Sequence, residues 1–137
     1  MTSIAKTYTI RDVSQRFGLP ASTLRYYEEV GLLKDIRRNG KHRLYEDKHL
    51  GRLGAIQCFK QTGMSISQIQ EFFYHEDVTE DYEALVDLLA QQSAAIETQL
   101  QQLLENQRHI TAKLAFYSAK KAARQQGLPE PCWDDFD

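Results

Sequence analysis

Ser22, Thr23, Leu24, Arg25, Tyr26 and Tyr27 form one unbroken run that puts hydroxyls, a guanidinium and two phenols on a short segment with helical periodicity. These groups donate hydrogen bonds to phosphate oxygens, so the segment reads as a surface made to touch a nucleic-acid backbone. Leu24, Tyr27 and Val30 recur at spacings of three and fall on one face, while Ser22, Thr23, Arg25 and Tyr26 project from the rest. A second basic set follows in Arg37, Arg38, Lys41, His42 and Arg43, and further along stand Cys58, a thiol, and Lys60.

The elements that would hold these residues follow from local signals. Thr9 caps a first helix through Ile10, Val13, Ser14 and Phe17, and Gly18 ends it before the Leu19-Pro20-Ala21 turn. Gly31 stops the helix that carries Arg25. Helix, tight turn and helix together read as a helix-turn-helix, whose second helix enters the DNA major groove by its N-terminal residues, here Ser22, Thr23 and Arg25. A plain amphipathic helix pair with a glycine in its turn has the same bare pattern. Asn39-Gly40 then predicts a type I′ hairpin, since both positions tolerate positive φ. Its basic flanks read either as a wing that grips phosphate or as a solvated hairpin.

Charge is divided unevenly along the 137 residues. Residues 1–60 carry 12 Lys and Arg against 6 Asp and Glu (+6), and residues 61–137 carry 5 against 13 (−8). A basic first part fits a polyanion surface, and the acidic remainder argues against a nonspecific coat for nucleic acid. Met1–Lys6 lacks the apolar core of a secretory signal and no run reaches membrane-spanning length, so a cytoplasmic location and no membrane partner are expected. Cys58 and Cys132 are far apart and lack the paired spacing of a zinc site, so no disulfide, metal or cofactor is expected.

A third helix is predicted over Asp47–Thr62. Gly51, Gly54, Ala55 and Cys58 share one face of it, all small, which predicts a close approach by backbone or partner. Ser65-Ile66-Ser67-Gln68 has the form of a capping box opening a fourth helix that buries Ile66, Ile69, Phe72 and Phe73 and frays at His75-Glu76-Asp77. From Glu80 to Gln126 there is no Pro or Gly, which predicts one long helix. Val86, Ser93, Leu100, Gln107 and Leu114 occupy its a positions, and Tyr82, Leu89, Ile96, Leu103, Ile110 and Tyr117 its d positions. A stripe of that length predicts a two-chain coiled coil, with Leu89, Ile96, Leu100, Leu103, Ile110, Leu114 and Tyr117 as the dimerisation residues. Gly127 ends the helix, and Trp133 and Phe136 in the tail either pack on a neighbour or stay free.

Thr9-Ile10-Arg11-Asp12-Val13, Ser22-Thr23-Leu24-Arg25-Tyr26-Tyr27-Glu28, Gly31-Leu32-Leu33, Asn39-Gly40 with Arg43-Leu44-Tyr45, and Lys60-Gln61-Thr62-Gly63-Met64-Ser65-Ile66 together resemble the MerR family of bacterial transcription regulators. The expected fold is therefore mainly α: a winged helix-turn-helix DNA-binding domain (1–76), a long dimerising coiled-coil helix (77–126) and a C-terminal tail (127–137). The resemblance implies a homodimer that binds double-stranded promoter DNA across an overlong spacer, then bends and untwists it, reaching RNA polymerase indirectly through the promoter. It also implies DNA contacts from Thr23, Arg25 and Tyr26, with Tyr27 split between core and phosphate. Arg43 and Tyr45 would grip the backbone from the wing, with Lys41 at its tip, and Lys60 would reach a phosphate nearer the dyad. The family usually has tyrosine where His42 stands.

The chain has one cysteine near the end of the long helix, not the pair of metal-sensing members, and no appended drug-binding domain. What remains is similar to the short branch of thiol-based sensors of aldehydes and other electrophiles, in which Cys58 is the sensing position. From the residues alone Cys58 is a small packing residue on the Gly51 strip, and reactivity needs a cation or helix N-terminus near its thiolate. A coiled-coil architectural factor of excisionase type and a regulator with a non-covalent effector are the competing functions. A thiol enzyme is disfavoured because His42 and His49 belong to the wing and the third helix, with no base or oxyanion arrangement legible. The chain is expected not to be an enzyme.

Overall fold

In the computed structural model, which describes residues 6–136, the first helix begins where the sequence places its cap. Thr9 Oγ1 accepts from the Asp12 amide and Asp12 returns a bond to the Thr9 amide, so α1 (Ile10–Phe17) starts on a complete capping box. Gly18 closes it at φ 65°. α2 (Ala21–Glu29) follows after the Leu19-Pro20 turn, and the chain leaves it through Gly31 at φ 79°. Residues Met1–Ala5 of the N-terminal stretch discussed above, and Asp137 of the tail, lie outside the described residues.

The basic hairpin forms from β2 (Arg37–Asn39) and β3 (His42–Glu46), in antiparallel register with Asn39 opposite His42. Its turn is therefore Gly40-Lys41, one residue later than expected. Gly40 has φ 64° and no other residue of the hairpin has positive φ, which is the pattern of a type II′ turn instead of I′. Asn39 is drawn into the ladder and glycine takes the first central position. A two-residue strand not anticipated from the sequence, β1 (Thr7–Tyr8), pairs with the other edge of β3 and completes a sheet of order β1-β3-β2.

α3 (Asp47–Gln61) starts directly from β3. His49 caps its own helix: Nδ1 accepts from the Glu46 amide at 2.9 Å, which leaves the proton on Nε2 to be donated to Lys34 O at 2.8 Å. Ser65 and Gln68 form the expected box for α4 (Ile66–Tyr74). Beyond α4 the chain does not fray but widens into a π-helical turn, His75–Thr79. α5 (Tyr82–Gln126) is followed by Gly127 at φ 67° and a short 3-10 turn, Trp133–Asp135.

The chain divides into two compact units, Met1–Gln92 and Ser93–Asp137. In the first, Val13, Leu24, Leu32, Leu33, Leu53, Ile56 and Ile69 are fully buried around α1, α2 and α3, with Phe72 and Phe73 of α4 closing the core. Phe59 packs edge-on against Phe72 at 4.9 Å. Leu85 and Leu88, in the first turns of α5, also pack on this core. In the second unit, Phe116 is buried beneath Trp133 and Phe136, at ring distances of 5.2 and 5.6 Å. The tail aromatics pack on their own helix.

Candidate nucleic-acid interface

α2 sorts its residues sharply. Leu24 and Tyr27 go into the core, Ser22, Arg25 and Tyr26 are exposed, and Thr23 is half-buried. Pro20 is the N-cap and supplies no side-chain acceptor; its carbonyl accepts from the Thr23 and Leu24 amides. The first amides of α2 are thus left uncapped by any side chain, at the positive end of the helix dipole, an arrangement suited to an anion. Tyr27 is only 6 % exposed, and burial, with Tyr26 beside it, pushes its phenol above the ordinary value of 10.0. It is a core side chain, not a split one.

The hairpin lies beside this helix and is tied to it by one carboxylate. Glu28, in the last turn of α2, accepts from Arg43 Nε at 2.6 Å and from Arg38 Nη2 at 3.4 Å. Partial burial pushes the Glu28 carboxyl up, but the hydrogen bonds and charges of Arg43 and Arg38 outweigh it and leave it below the ordinary 4.5. Arg43 is expected to grip the DNA backbone, yet its side chain is only 20 % exposed and its bond to Glu28 engages Nε. A guanidinium anchored that way keeps its Nη groups as donors. Lys41 and His42 are exposed at the tip, and Arg37 is exposed along β2, 3.8 Å from Glu46.

Tyr45 departs from expectation. It is 0 % exposed and its hydroxyl lacks a hydrogen-bond partner among the described residues, so it cannot grip a backbone from the wing surface. In β3 it alternates with its neighbours and points to the sheet face that covers the core, edge-on to His49 at 6.1 Å. Burial pushes its phenol up from 10.0.

Along α3, Lys60 is exposed as expected. No backbone of the described chain makes the expected close approach to the strip beside it: a Cβ built on Gly51 or Gly54 meets nothing within 4 Å, and Gly51, Gly54 and Cys58 are exposed. Cys58 is therefore a surface thiol and not a packing residue in this chain. Arg52 carries a role the sequence did not suggest. It donates to Leu32 O at 2.7 Å, pairs with Asp77 at 2.8 Å and stacks 3.7 Å from the centre of the Phe73 ring. The signal available was weak, a lone arginine in an otherwise small-residue stretch. Cys132 is exposed.

On α5, Leu89, Ile96, Leu100, Leu103, Ile110, Leu114 and Tyr117 are all exposed, Leu114 by 68 %. Among the described residues no helix is long and apolar enough to cross a membrane, and no group of three or more His, Cys, Asp or Glu is placed to hold a metal.

An exposed donor face on the second helix of a helix-turn-helix, joined to a basic hairpin, defines a DNA-binding regulator, and comparison with known proteins agrees. Residues 8–76 match the family model of the MerR HTH family regulatory protein, and residues 50–113 match the model described as MerR, DNA binding. The chain is 34% identical over 118 residues, 85% of its length and 87% of the relative's, to an uncharacterised HTH-type transcriptional regulator of Haemophilus influenzae. It is 38% identical over 64 residues to the HTH-type transcriptional regulator AdhR of Bacillus subtilis, covering 46% of each chain. Among solved structures it is similar to HiNmlR, a MerR family regulator lacking the sensor domain, bound to promoter DNA. That likeness has a TM-score of 0.78 at 32% identity, over 93% of this chain and 100% of the other. The chain belongs to the MerR family of DNA-binding transcription regulators.

Proposed function

We propose that the chain acts as a homodimer on promoter DNA, with residues 1–76 as the reading head, 77–126 as an antiparallel coiled coil and 127–137 as a tail. Two heads seat on the half-sites of an overlong spacer, and a change of state bends and untwists it, so that RNA polymerase is reached through the promoter. The deformation involves about 1–6 kcal/mol, within reach of a two-state protein. The observation that carries this reading is the sorting of α2, with Leu24 and Tyr27 inward and Ser22, Arg25 and Tyr26 outward beside the hairpin. Thr23, Lys41, Arg43 and Lys60 complete the contacting set. HiNmlR, seen on promoter DNA, supports the same use of the fold.

The trigger in this reading is an aldehyde or similar electrophile at Cys58. The exposed thiol supports access: its sulfur adds to the carbonyl carbon, and the carbonyl oxygen takes the proton, with no oxidant required. Because the Gly51 strip is open, the adduct acts on whatever the dimer or DNA brings to that face, and not by wedging a packed core.

Arg25→Ala tests the head. It is expected to weaken binding to the DNA upstream of the gene about tenfold and to lower the salt slope by about one ion, with the dimer intact. Binding equal to the parent at every salt concentration would remove α2 from the interface. Cys58→Ser is expected to bind but not induce with aldehyde, while Cys132→Ser responds. Full induction by Cys58→Ser would assign the effector to a non-covalent ligand.

A further inference from the structure

The register of the hairpin places two arginines against each other. Arg38 in β2 is the direct cross-strand partner of Arg43 in β3. Like charges so placed destabilise a strand pair. The sheet's other partner, β1, pairs with β3 and leaves β2 as an edge whose three residues are all exposed. What faces both guanidiniums is the Glu28 carboxylate, one oxygen on each. Glu28 sits one turn after Arg25 on α2, so the residue that relieves the arginine pair belongs to the helix whose outer face carries the donors.

We propose that Glu28 is a positioning residue for DNA recognition: it clasps Arg38 and Arg43 so that the wing and the recognition helix meet DNA as one rigid reader. The inference rests on the proposed DNA-binding role of these two elements and adds a residue that itself touches no phosphate. A carboxylate at a polyanion interface repels the ligand, so a Glu28 that served only as a nearby charge would weaken binding. Positioning predicts the opposite sign on its removal. The carboxylate also fixes Arg43 through Nε, which holds the guanidinium in place while its Nη groups stay available. The depressed Glu28 carboxyl accords with a clasp closed at neutral pH.

Two measurements on Glu28→Ala and Glu28→Gln in the full chain test this. Amide hydrogen exchange needs no DNA: in Glu28→Ala, exchange across Arg37–Glu46 is expected to rise by about fivefold or more, with Ile69–Phe73 of α4 unchanged as a control of folding. Glu28→Gln keeps an acceptor and is expected to exchange more slowly than Glu28→Ala. Binding to a duplex of the DNA upstream of the gene is expected to weaken about tenfold in Glu28→Ala, with a salt slope shallower by about one or two ions as the wing arginines lose their phosphates. Wing exchange in Glu28→Ala equal to the parent's, or binding tighter than the parent's with a steeper slope, would overturn the clasp. A parent that ignores every duplex would overturn the DNA-binding reading instead, and the exchange result would still decide the clasp.

Discussion

In the unit Met1–Gln92, thirteen hydrophobic side chains share one buried cluster drawn from four helices, the sheet and the segments between them; among the described residues of Ser93–Asp137, Phe116 is the buried hydrophobic side chain. The first unit completes its own core. In the second, Ile96, Leu100, Leu103, Ile110 and Leu114 stay open to solvent along α5. Isolated helices draw little stability from propensity alone, and an unpaired apolar stripe adds none. The contrast teaches that the two regions answer to different variables. The head's stability is set within the chain, and that of distal α5, on the proposed function, by the concentration of a second copy.

Breaking the stripe gives the largest expected effect. Replacing Ile96 and Leu103 together by glutamate is expected to abolish the dimer in sedimentation and to lower specific DNA binding by about a hundredfold or more, because one head loses the effective concentration of the other. Leu53→Ala, by contrast, opens a cavity under a fully buried side chain and is expected to cost about 2–5 kcal/mol. The shift of its midpoint from the parent's should be the same at every protein concentration, whereas the parent's own midpoint should rise with concentration and that of the stripe variant should not. A double glutamate variant that sediments as a dimer would place the seam elsewhere, with Leu85, Leu88 and Leu104 the next residues to test.

The same contrast explains what was legible in the sequence. Caps and periodicity act within a turn or two, so Thr9, Gly18, Ser65 and the start of α5, two residues from its expected place, could be read directly. Pairings across the fold could not. β1 has two residues and therefore no period, and it exists only because β3 offers an edge. Tyr45 looks like a wing contact in the run Arg43-Leu44-Tyr45, but strand alternation and the sheet's two-sided environment turn it inward. Glu28 is separated from Arg43 by fifteen positions and Arg52 from Leu32 by twenty, distances at which sequence spacing says nothing. The openness of the Gly51 strip had the opposite cause: small residues predict a close neighbour, and none within the described chain fills that place.

A smaller effect sharpens the picture of the second unit. The tail holds Phe116 through Trp133 and Phe136, with Lys113 4.9 Å from the centre of the Trp133 ring. Phe136→Ala is expected to cost about 1 kcal/mol locally, the scale of one aromatic pair. Trp133 is the chain's single tryptophan, so its emission reports the tail alone and should shift to the red. An unshifted spectrum would mean that Phe136 contributes nothing to the cluster; DNA binding by the head should not change.

The smallest effect concerns acid, and it acts on the head through two carboxyls. In Asp12 the hydrogen bond from the Thr9 amide, then that of the Thr9 hydroxyl, holds the group below its ordinary 3.8 despite slight desolvation, with Arg11 adding to the shift. In Glu28 burial works the other way but is outweighed by Arg43 and Arg38, leaving it below 4.5. Both pKa values are lower folded than unfolded, so the unfolded chain binds more protons in this range and stability rises with pH. Each contribution is present above the ordinary value and is lost as pH falls through the folded one, below 4.5 for Glu28 and below 3.8 for Asp12. Glu28 is partly solvated, so its share is under about 1 kcal/mol. Denaturant midpoints at pH 6 and pH 3, taken at one protein concentration, are expected to differ less in Glu28→Gln than in the parent. The Phe136→Ala protein should keep the parent's full pH difference, since it touches only the second unit. A Glu28→Gln protein with an undiminished loss between those pH values would mean that the arginines hold the wing without the charge of the carboxylate.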